Sequence, residues 1–413
     1  MSTPSLLNVP YRLKAGTLYS QIPETGLGDF AVTRSASNVA TRINSLGFIE
    51  RVNDNVPRLD YPLGGAVNGC PALLVEPSAE NLYQQNQDFT NAYWSKVNSS
   101  VSGNQAVAPD GTLTADKLIM DNGISPTVAN ASGVNRTQVV TSSAYRFSMF
   151  AKSAEFTGFK VRENTVEGTF LDVNLSNGTI TNGSVAQFIS PLAENYGNGW
   201  YRVSWTSPTI TNLSKYSIRV GSTGDGVSGI FVWGAQVETG SVPTSYIGPT
   251  TTAAITRGED RITKTGITSL IGQTEGTFYF EGEANFASSD LPMINRSVTN
   301  SILLVKNVSN QLVVYVYYGG VFLPVFTTPS AITGPFKIAV GYKQGSPGDT
   351  AVFVNGVQVG TTNTTSWAFT GALTEVIVRA EGYLIGGKPY KVRALGVYPN
   401  RLSNSELATL TTP

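Results

Sequence analysis

The stretch TFYFEGEANF, residues 277–286, decides the fold class of this chain. Its even positions carry phenylalanine, glycine or alanine, whereas its odd positions carry threonine, tyrosine, glutamate or asparagine. This period of two predicts a β-strand with one face on a core and the other in solvent. Such alternation is typical of antiparallel sheets.

The residues downstream continue this pattern. AVFVNGVQV, residues 351–359, predicts a β-hairpin, because Asn355 and Gly356 can supply the positive φ angles of a type I′ turn. Ser403, with Glu406 three positions later, predicts the capping box of one short terminal helix. Further strands are predicted over 312–318, 336–342 and 392–398.

Upstream, residues 76–256 contain short aromatic and β-branched runs separated by turn formers, which predicts a second sandwich. Residues 1–75 lack sustained periodicity and predict an extended arm that must lie on its own domains or on another chain. The predicted fold class is therefore all-β. Two antiparallel β-sandwich domains, at 76–256 and 257–413, follow an irregular N-terminal arm at 1–75.

Composition excludes several classes of function. Lys+Arg and Asp+Glu are both 28, so the basic surplus typical of nucleic-acid binders is missing. No run approaches the ~20 apolar residues that span a bilayer, and the N-terminus does not resemble a secretory signal, which predicts synthesis in a cytoplasm and no membrane insertion. Histidine is absent and Cys70 is the only cysteine, so no Ser-His or Cys-His pair can form. We predict no enzyme activity, no metal and no cofactor.

Segments in all three regions resemble known proteins. GTFYFEGEANF, AVFVNGVQV and VRALGVYPNRLSNSELATL resemble the concanavalin A-like, laminin-G-type jelly roll. ENLYQQNQDFTNAYWSK (80–96), APDGTLTADKL (108–118), GNGWYRVSWT (197–206) and GAQVETGSVPTSYIGPT (234–250) resemble carbohydrate-binding-like sandwich modules of tailed-bacteriophage virion proteins. Residues 29–61, followed by CPALLVEPSAENL (70–82), are similar to the same phage proteins.

This resemblance implies a non-enzymatic structural protein of a bacteriophage particle, of the head-fibre or tail-appendage type. It implies localisation in the virion after synthesis in the host cytoplasm. The expected partners are other virion proteins of the capsid or tail, and the expected assembly is a homotrimer attached through the arm. Host-surface glycans are a further possible partner, because a glycan-binding host-attachment module is the main alternative.

Aromatic side chains are the candidate glycan contacts, since the C–H faces of sugars pack on aromatic rings. Tyr315 and Tyr317 share one strand face, which is either a glycan surface or an inner layer of the sandwich. Trp367 follows the Asn-Gly hairpin and could lie on a loop rim, although packing is favoured for it. Trp94 completes the candidate set.

Glu281 and Glu283 are the candidate acids for the third alternative, a glycosidase. They lie two residues apart on one strand face, about 6.6 Å along the backbone and near the carboxylate separations of glycosidases. The run Glu-Gly-Glu-Ala-Asn-Phe departs from the E-x-D-x-x-E pattern of jelly-roll glucanases after its first acid. The favoured interpretation is two charges on the solvent face of a sheet.

Overall fold

The structure is a computed structural model that describes residues 2–35, 38–63, 69–127, 133–166, 168–297, 299–380, 383–384 and 387–413. It confirms an all-β fold with antiparallel sheets and one short α-helix in the described residues. The N-terminal region forms strands of two to four residues: β1 Leu6–Asn8, β2 Leu13–Lys14, β3 Thr17–Leu18, β4 Phe30–Thr33, β5 Thr41–Ile43, β6 Ile49–Arg51, β7 Arg58–Asp60 and β8 Ala72–Val75.

The middle of the chain forms one sandwich. The strands of this part of the chain are β9 Ala79–Asn81, β10 Ser95–Val97, β11 Ser99–Val107, β12 Leu113–Met120, β13 Gly133–Asn135, β14 Val139–Ser143, β15 Tyr145–Ser153, β16 Gly158–Glu163, β17 Phe170–Asn174, β18 Thr179–Asn182, β19 Ile189–Gly197, β20 Trp200–Thr206, β21 Ile210–Asn212, β22 Tyr216–Val220 and β23 Gly229–Thr239. Two sheets, ordered β10-β13-β22-β16-β17-β18 and β11-β12-β23-β15-β20-β19, enclose the middle core.

The remaining elements follow in the chain, and all of them except β24 belong to the C-terminal sandwich. They are β24 Ile255–Arg257, β25 Arg261–Thr265, β26 Glu275–Glu283, β27 Ser289–Ile294, β28 Asn300–Lys306, β29 Leu312–Tyr318, β30 Val321–Phe322, β31 Phe326–Thr327, β32 Pro335–Lys343, β33 Asp349–Val354, β34 Val357–Gln358, β35 Glu375–Arg379, β36 Tyr390–Tyr398 and the helix α1 Asn404–Thr411. The Asn355-Gly356 turn has φ angles of 49° and 82°, and both halves of the Ser403–Glu406 capping box are present, as predicted.

Strands of the predicted arm complete both sheets of the C-terminal sandwich. One sheet runs β34-β33-β32-β26-β36-β8-β7, with β1 also paired to β36, and the other runs β2-β3-β4-β25-β35-β27-β28-β29-β30, with β31 paired to β29. Leu6, Phe30 and Val75 are at most 1% exposed in the core shared with Phe278 and Phe280. The arm therefore lies on its own chain, as part of the sandwich rather than as a separate element.

The middle sandwich is an insertion between two strands of a short neck. β9 and β24 pair antiparallel, with Asn81 opposite Ile255 and Ala79 opposite Arg257. The chain thus leaves the C-terminal sandwich and returns to it at neighbouring positions. The hairpin β5–β6 of the arm packs on the insertion, where Ile43 and Ile49 join the buried cluster around Trp233.

Strand β26, which contains most of the stretch TFYFEGEANF, is buried on both faces over residues 277–280. Phe278 and Phe280 enter the core, as expected, but Tyr279 on the opposite face is only 6% exposed. The cause is α1, whose Leu407 packs with Tyr279 and Tyr398 on the outer face of the sheet. Farther along the strand, Glu281 and Glu283 stay half-exposed.

A buried ionic cluster lies where the arm, the neck and both sandwiches meet. It consists of Arg34, Arg58, Glu76, Arg257 and Asp260, whose side chains are at most 3% exposed. The Glu76 carboxylate lies 2.7 Å from Arg58 Nη1 and 2.9 Å from Arg257 Nη1. The Asp260 carboxylate pairs with Arg34 at 2.9 Å and also with Arg58.

The inserted sandwich is tied to this ionic cluster through Ser245. Its backbone N–H and its hydroxyl donate to the two Glu76 carboxylate oxygens at 2.7 and 2.6 Å. Burial alone raises the pKa of Glu76, but Arg257, Arg58 and the Ser245 hydrogen bonds lower it to about 2. Breaking such a buried arrangement is costly, because it leaves charges without water and without a partner.

The topology yields a prediction about the smallest folding unit. A fragment of residues 257–413 lacks the arm strands of both sheets, so we expect it to aggregate or to unfold in urea without a cooperative transition. Joining residues 1–81 to 255–413 through a short glycine-serine linker restores those strands and should give one cooperative transition by circular dichroism. Cooperative unfolding of the 257–413 fragment alone would show that the arm strands are dispensable.

The ionic cluster yields a prediction about acid stability. The pKa of Glu76 is lower in the folded state than in the unfolded chain, so the ionised carboxylate stabilises the fold. This contribution to the free energy of unfolding, about 3 kcal/mol, is complete above pH 4.5 and is lost as the pH falls toward 2. We expect Glu76→Gln to be less stable at pH 7 and to lack this part of the acid dependence, measured by urea unfolding from pH 7 to pH 2.

The matched control for this measurement is Glu50→Gln. Glu50 pairs with Arg42 at 3.4 Å, and its side chain is 42% exposed, so its loss should change the free energy of unfolding by less than about 1 kcal/mol. A Glu76→Gln protein with the acid profile of the wild type would contradict the role of the ionic cluster.

Candidate functional site

The alternation of β29 places its tyrosines on the outer face of the C-terminal sandwich. Val314 and Val316 are 1% exposed in the core, so Tyr315 and Tyr317 between and after them point away from it. Both tyrosines are half-buried. The sequence left two placements open for this pair, and the structure shows the outer one.

Four aromatic side chains gather on this surface, which we call the tyrosine face: Tyr315, Tyr317, Phe322 and Tyr383. The rings of Tyr315 and Tyr317 stack with centroids 6.0 Å apart and planes at 27°. Phe322, from the neighbouring β30, meets them edge-on at 5.7 and 5.5 Å and is 48% exposed. Beneath the tyrosines lie Met293, Leu303 and Ile377, all at most 5% exposed.

Neighbouring strands provide this apolar floor through their register. Leu303 on β28 lies opposite Tyr315, Met293 on β27 opposite Leu303, and Ile377 on β35 opposite Met293. The three floor residues thus form one row across the sheet, and side chains in such a row contact each other. Tyr383, which follows β35 in the chain, packs against the same floor.

Polar groups border the tyrosine face. The guanidinium of Arg296 lies 5.3 Å from the centre of the Tyr383 ring, within range of a cation–π interaction. The Asp290 carboxylate accepts hydrogen bonds from the backbone N–H groups of Tyr383 and Leu384, which holds the backbone of these two residues in place. Burial, followed by the neighbouring Tyr315 and Tyr383, raises the pKa of Tyr317, so its hydroxyl stays protonated.

The hydroxyls of the two strand tyrosines are available to a ligand. Among the residues that the structure describes, neither Tyr315 nor Tyr317 forms a side-chain hydrogen bond. A phenol hydroxyl both donates and accepts, so each can pair with a ligand hydroxyl. The tyrosine face therefore combines ring surface with polar groups that have no other partner in the described protein.

The tryptophan candidates lie in the cores of the two sandwiches. Trp367 is 4% exposed and packs against Phe369 and Tyr318, at centroid distances of 4.9 and 5.8 Å. Trp94 is also 4% exposed, and its ring stacks on Phe89 at 5.0 Å. Neither ring presents a face to a ligand. Trp367 therefore packs in the core, as the sequence favoured, and Trp94 does the same.

The two glutamates have neighbours within the sheet. Glu281 accepts a hydrogen bond from the Tyr279 hydroxyl at 3.0 Å and lies opposite Lys337 in the register of β26 and β32. Glu283 accepts one from Asn285 at 2.7 Å and lies opposite Lys391 on β36. This is the arrangement of charges on the outer face of a sheet.

Phe322, Tyr383 and Arg296 complete the tyrosine face, and sequence reasoning did not single them out. Phe322 could have been found, because Gly319-Gly320 after β29 indicates a tight turn into a short strand with Phe322 opposite Tyr317. Tyr383 and Arg296 are remote in sequence from β29, and no local pattern connects them to it.

Within the described residues, no helix has both the length and the apolar character needed to cross a membrane. No group of three or more His, Cys, Asp or Glu side chains in the described ranges is arranged to hold a metal ion.

Comparison with known proteins gives no family assignment. No family model matches the chain, and no curated protein matches it. Among solved structures, the chain is similar to the Ruminococcus gnavus IT-sialidase CBM40, with 18% identity over 34% of this chain and 84% of the other, at a TM-score of 0.28.

Two further solved structures are similar to the same degree. Domain 4 of AbnA, a GH43 extracellular arabinanase from Geobacillus stearothermophilus in complex with arabinotriose, is 14% identical over 37% of this chain and 73% of that one, with a TM-score of 0.29. A heptameric SAP-like pentraxin from Limulus polyphemus is 15% identical over 33% and 69%, with a TM-score of 0.26. Likenesses this weak assign neither a family nor a ligand.

Proposed function

We propose that this chain is a non-enzymatic, glycan-binding structural protein and that it binds a glycan at the tyrosine face. The observation that carries the proposal is the group of four partly exposed rings beside two tyrosine hydroxyls that have no hydrogen-bond partner among the described residues. Sugar rings present C–H groups to an aromatic surface and hydroxyls at their edge, so a site of this kind meets both requirements. Host-surface glycans are the proposed ligands.

The local chemistry supports binding rather than catalysis. The chain has no histidine, and each of Glu281 and Glu283 has a hydrogen-bond partner and a lysine opposite it in the sheet. A glycosidase requires two carboxyl groups that flank the scissile bond, one of them held protonated. Glu281 and Glu283, two charges spaced along a sheet surface, do not supply one protonated and one ionised carboxyl group on either side of a bond.

Membership of a bacteriophage particle is the second part of the proposal, and it rests on the resemblance of the segments described above. In this proposal the chain is a fibre or appendage protein, with capsid or tail proteins as partners and a homotrimer as its assembly. Because the arm strands pair within the C-terminal sandwich, attachment to other virion proteins would use side chains of the arm that remain exposed. Tyr11, Leu27 and Leu46 of the arm are 59%, 43% and 74% exposed.

We expect the tyrosine face to account for glycan retention. On an array of bacterial surface polysaccharides, the wild type should retain at least one glycan, and Tyr317→Leu should weaken that binding roughly tenfold, as losing a central aromatic contact does. Leucine keeps an apolar side chain over the buried floor of the tyrosine face, so the fold should persist. Titration calorimetry of the retained glycan measures the change.

Tyr11→Leu is the matched control, because Tyr11 is exposed on the arm, outside the tyrosine face. Its affinity for the glycan should equal that of the wild type. If no polysaccharide is retained, or if Tyr317→Leu binds as tightly as the control, the tyrosine face is not a glycan site.

A further inference from the structure

A cleft of about 380 Å³ lies between the two sandwiches, on the side of the C-terminal sandwich opposite to the tyrosine face. Its floor is the outer face of the sheet that contains β26 and β36, with Glu283, Lys391 and Arg393. Its wall is β19 of the inserted sandwich, with Glu194 and Tyr196. Arm residues close one side, so neither sandwich forms the cleft alone.

Several charged groups of the cleft are already satisfied within the protein. Lys391 lies 2.8 Å from the Asp60 carboxylate, which also accepts from the Ile43 backbone N–H at 2.7 Å. Arg202 donates to the Thr244 carbonyl at 2.7 Å and to the Ser148 hydroxyl at 3.0 Å. These groups shape the cleft, because their hydrogen bonds hold them in place.

Other polar groups of the cleft have capacity for a ligand. Arg393 forms no ion pair among the described residues, and its buried Nε has no hydrogen-bond partner there. Glu194 accepts no hydrogen bond from a described residue, and Glu283 accepts one, at a single oxygen. The terminal guanidinium nitrogens of Arg393 and the unused carboxylate oxygens of Glu194 and Glu283 can therefore pair with ligand hydroxyls.

The character of these groups indicates the class of ligand. The guanidinium groups of Arg393 and Arg42 and the two carboxylates offer donors and acceptors together, although Arg42 also pairs with Glu50 at 3.4 Å. The half-buried rings of Tyr196 and Phe286 offer apolar surface. An anionic ligand would meet Glu194 and Glu283, and a cationic ligand would meet Arg393. An uncharged ligand with many hydroxyls meets neither repulsion and can use donors and acceptors at once.

We infer that this cleft is a second binding site, for an uncharged saccharide of one or two rings. A volume of about 380 Å³ lies within the range of small-molecule sites, which are common where domains meet. This site does not depend on the tyrosine face, because the two lie on opposite outer faces of one sandwich.

Saturation-transfer NMR on the full chain tests the inference, with glucose, galactose, mannose and N-acetylglucosamine as separate probes at millimolar concentration. At least one sugar should receive saturation from the wild type. Arg393→Met and Glu283→Gln should each weaken its binding tenfold or more. Arg261→Met is the matched control, since Arg261 lies outside the cleft with a side chain 51% exposed, and should bind as the wild type does.

Three outcomes would overturn the inference: no transfer to any of the four sugars, equal binding by wild type and both cleft variants, or transfer only to N-acetylneuraminic acid as the charged comparison. Tyr317→Leu separates the two proposals. Sugar binding lost in that variant but kept in Arg393→Met belongs to the tyrosine face and contradicts a cleft site. Binding lost only in the cleft variants supports the cleft whatever the polysaccharide array shows.

Discussion

The buried ionic cluster is the constraint on which the rest of the structure depends. Three guanidinium groups and two carboxylates lie out of water where the arm, the neck and the inserted sandwich converge. Each charge is tolerated there only because the others surround it. Thr244 and Ser245 of the inserted sandwich also accept hydrogen bonds from Arg257, which extends the same network into that domain. The chain can satisfy all these groups only with both sandwiches folded and in contact.

This constraint also determines where the two proposed ligand sites lie. The cleft has one wall from each sandwich, so it exists only while the ionic cluster holds them together. The tyrosine face belongs to the C-terminal sandwich alone and depends on the register of β27, β28, β29 and β35. If both proposals hold, the protein would bind one glycan at an open surface and one small sugar in a recess between the sandwiches.

The sequence predicts the elements that local chemistry determines. Asn355-Gly356 and Ser403 with Glu406 fix a turn and a helix start through contacts within a few residues. The sequence does not predict the arm strands as parts of the sheets, because two to four residues are too few to show a period of two. The alternation predicts that Tyr279 faces solvent, because no nearby residue indicates that α1 covers this side chain. At the tyrosine face, the strand tyrosines were identifiable, whereas Tyr383 and Arg296 arrive from distant segments.

Urea unfolding followed by two signals tests most directly whether the ionic cluster makes the chain one cooperative unit. Of the five tryptophans, Trp94, Trp200, Trp205 and Trp233 lie in the inserted sandwich and only Trp367 in the C-terminal one, so fluorescence reports mainly on the insertion. Far-UV circular dichroism reports on both. The two transitions should coincide in the wild type and separate in Arg58→Met. Separate transitions in the wild type would contradict the account.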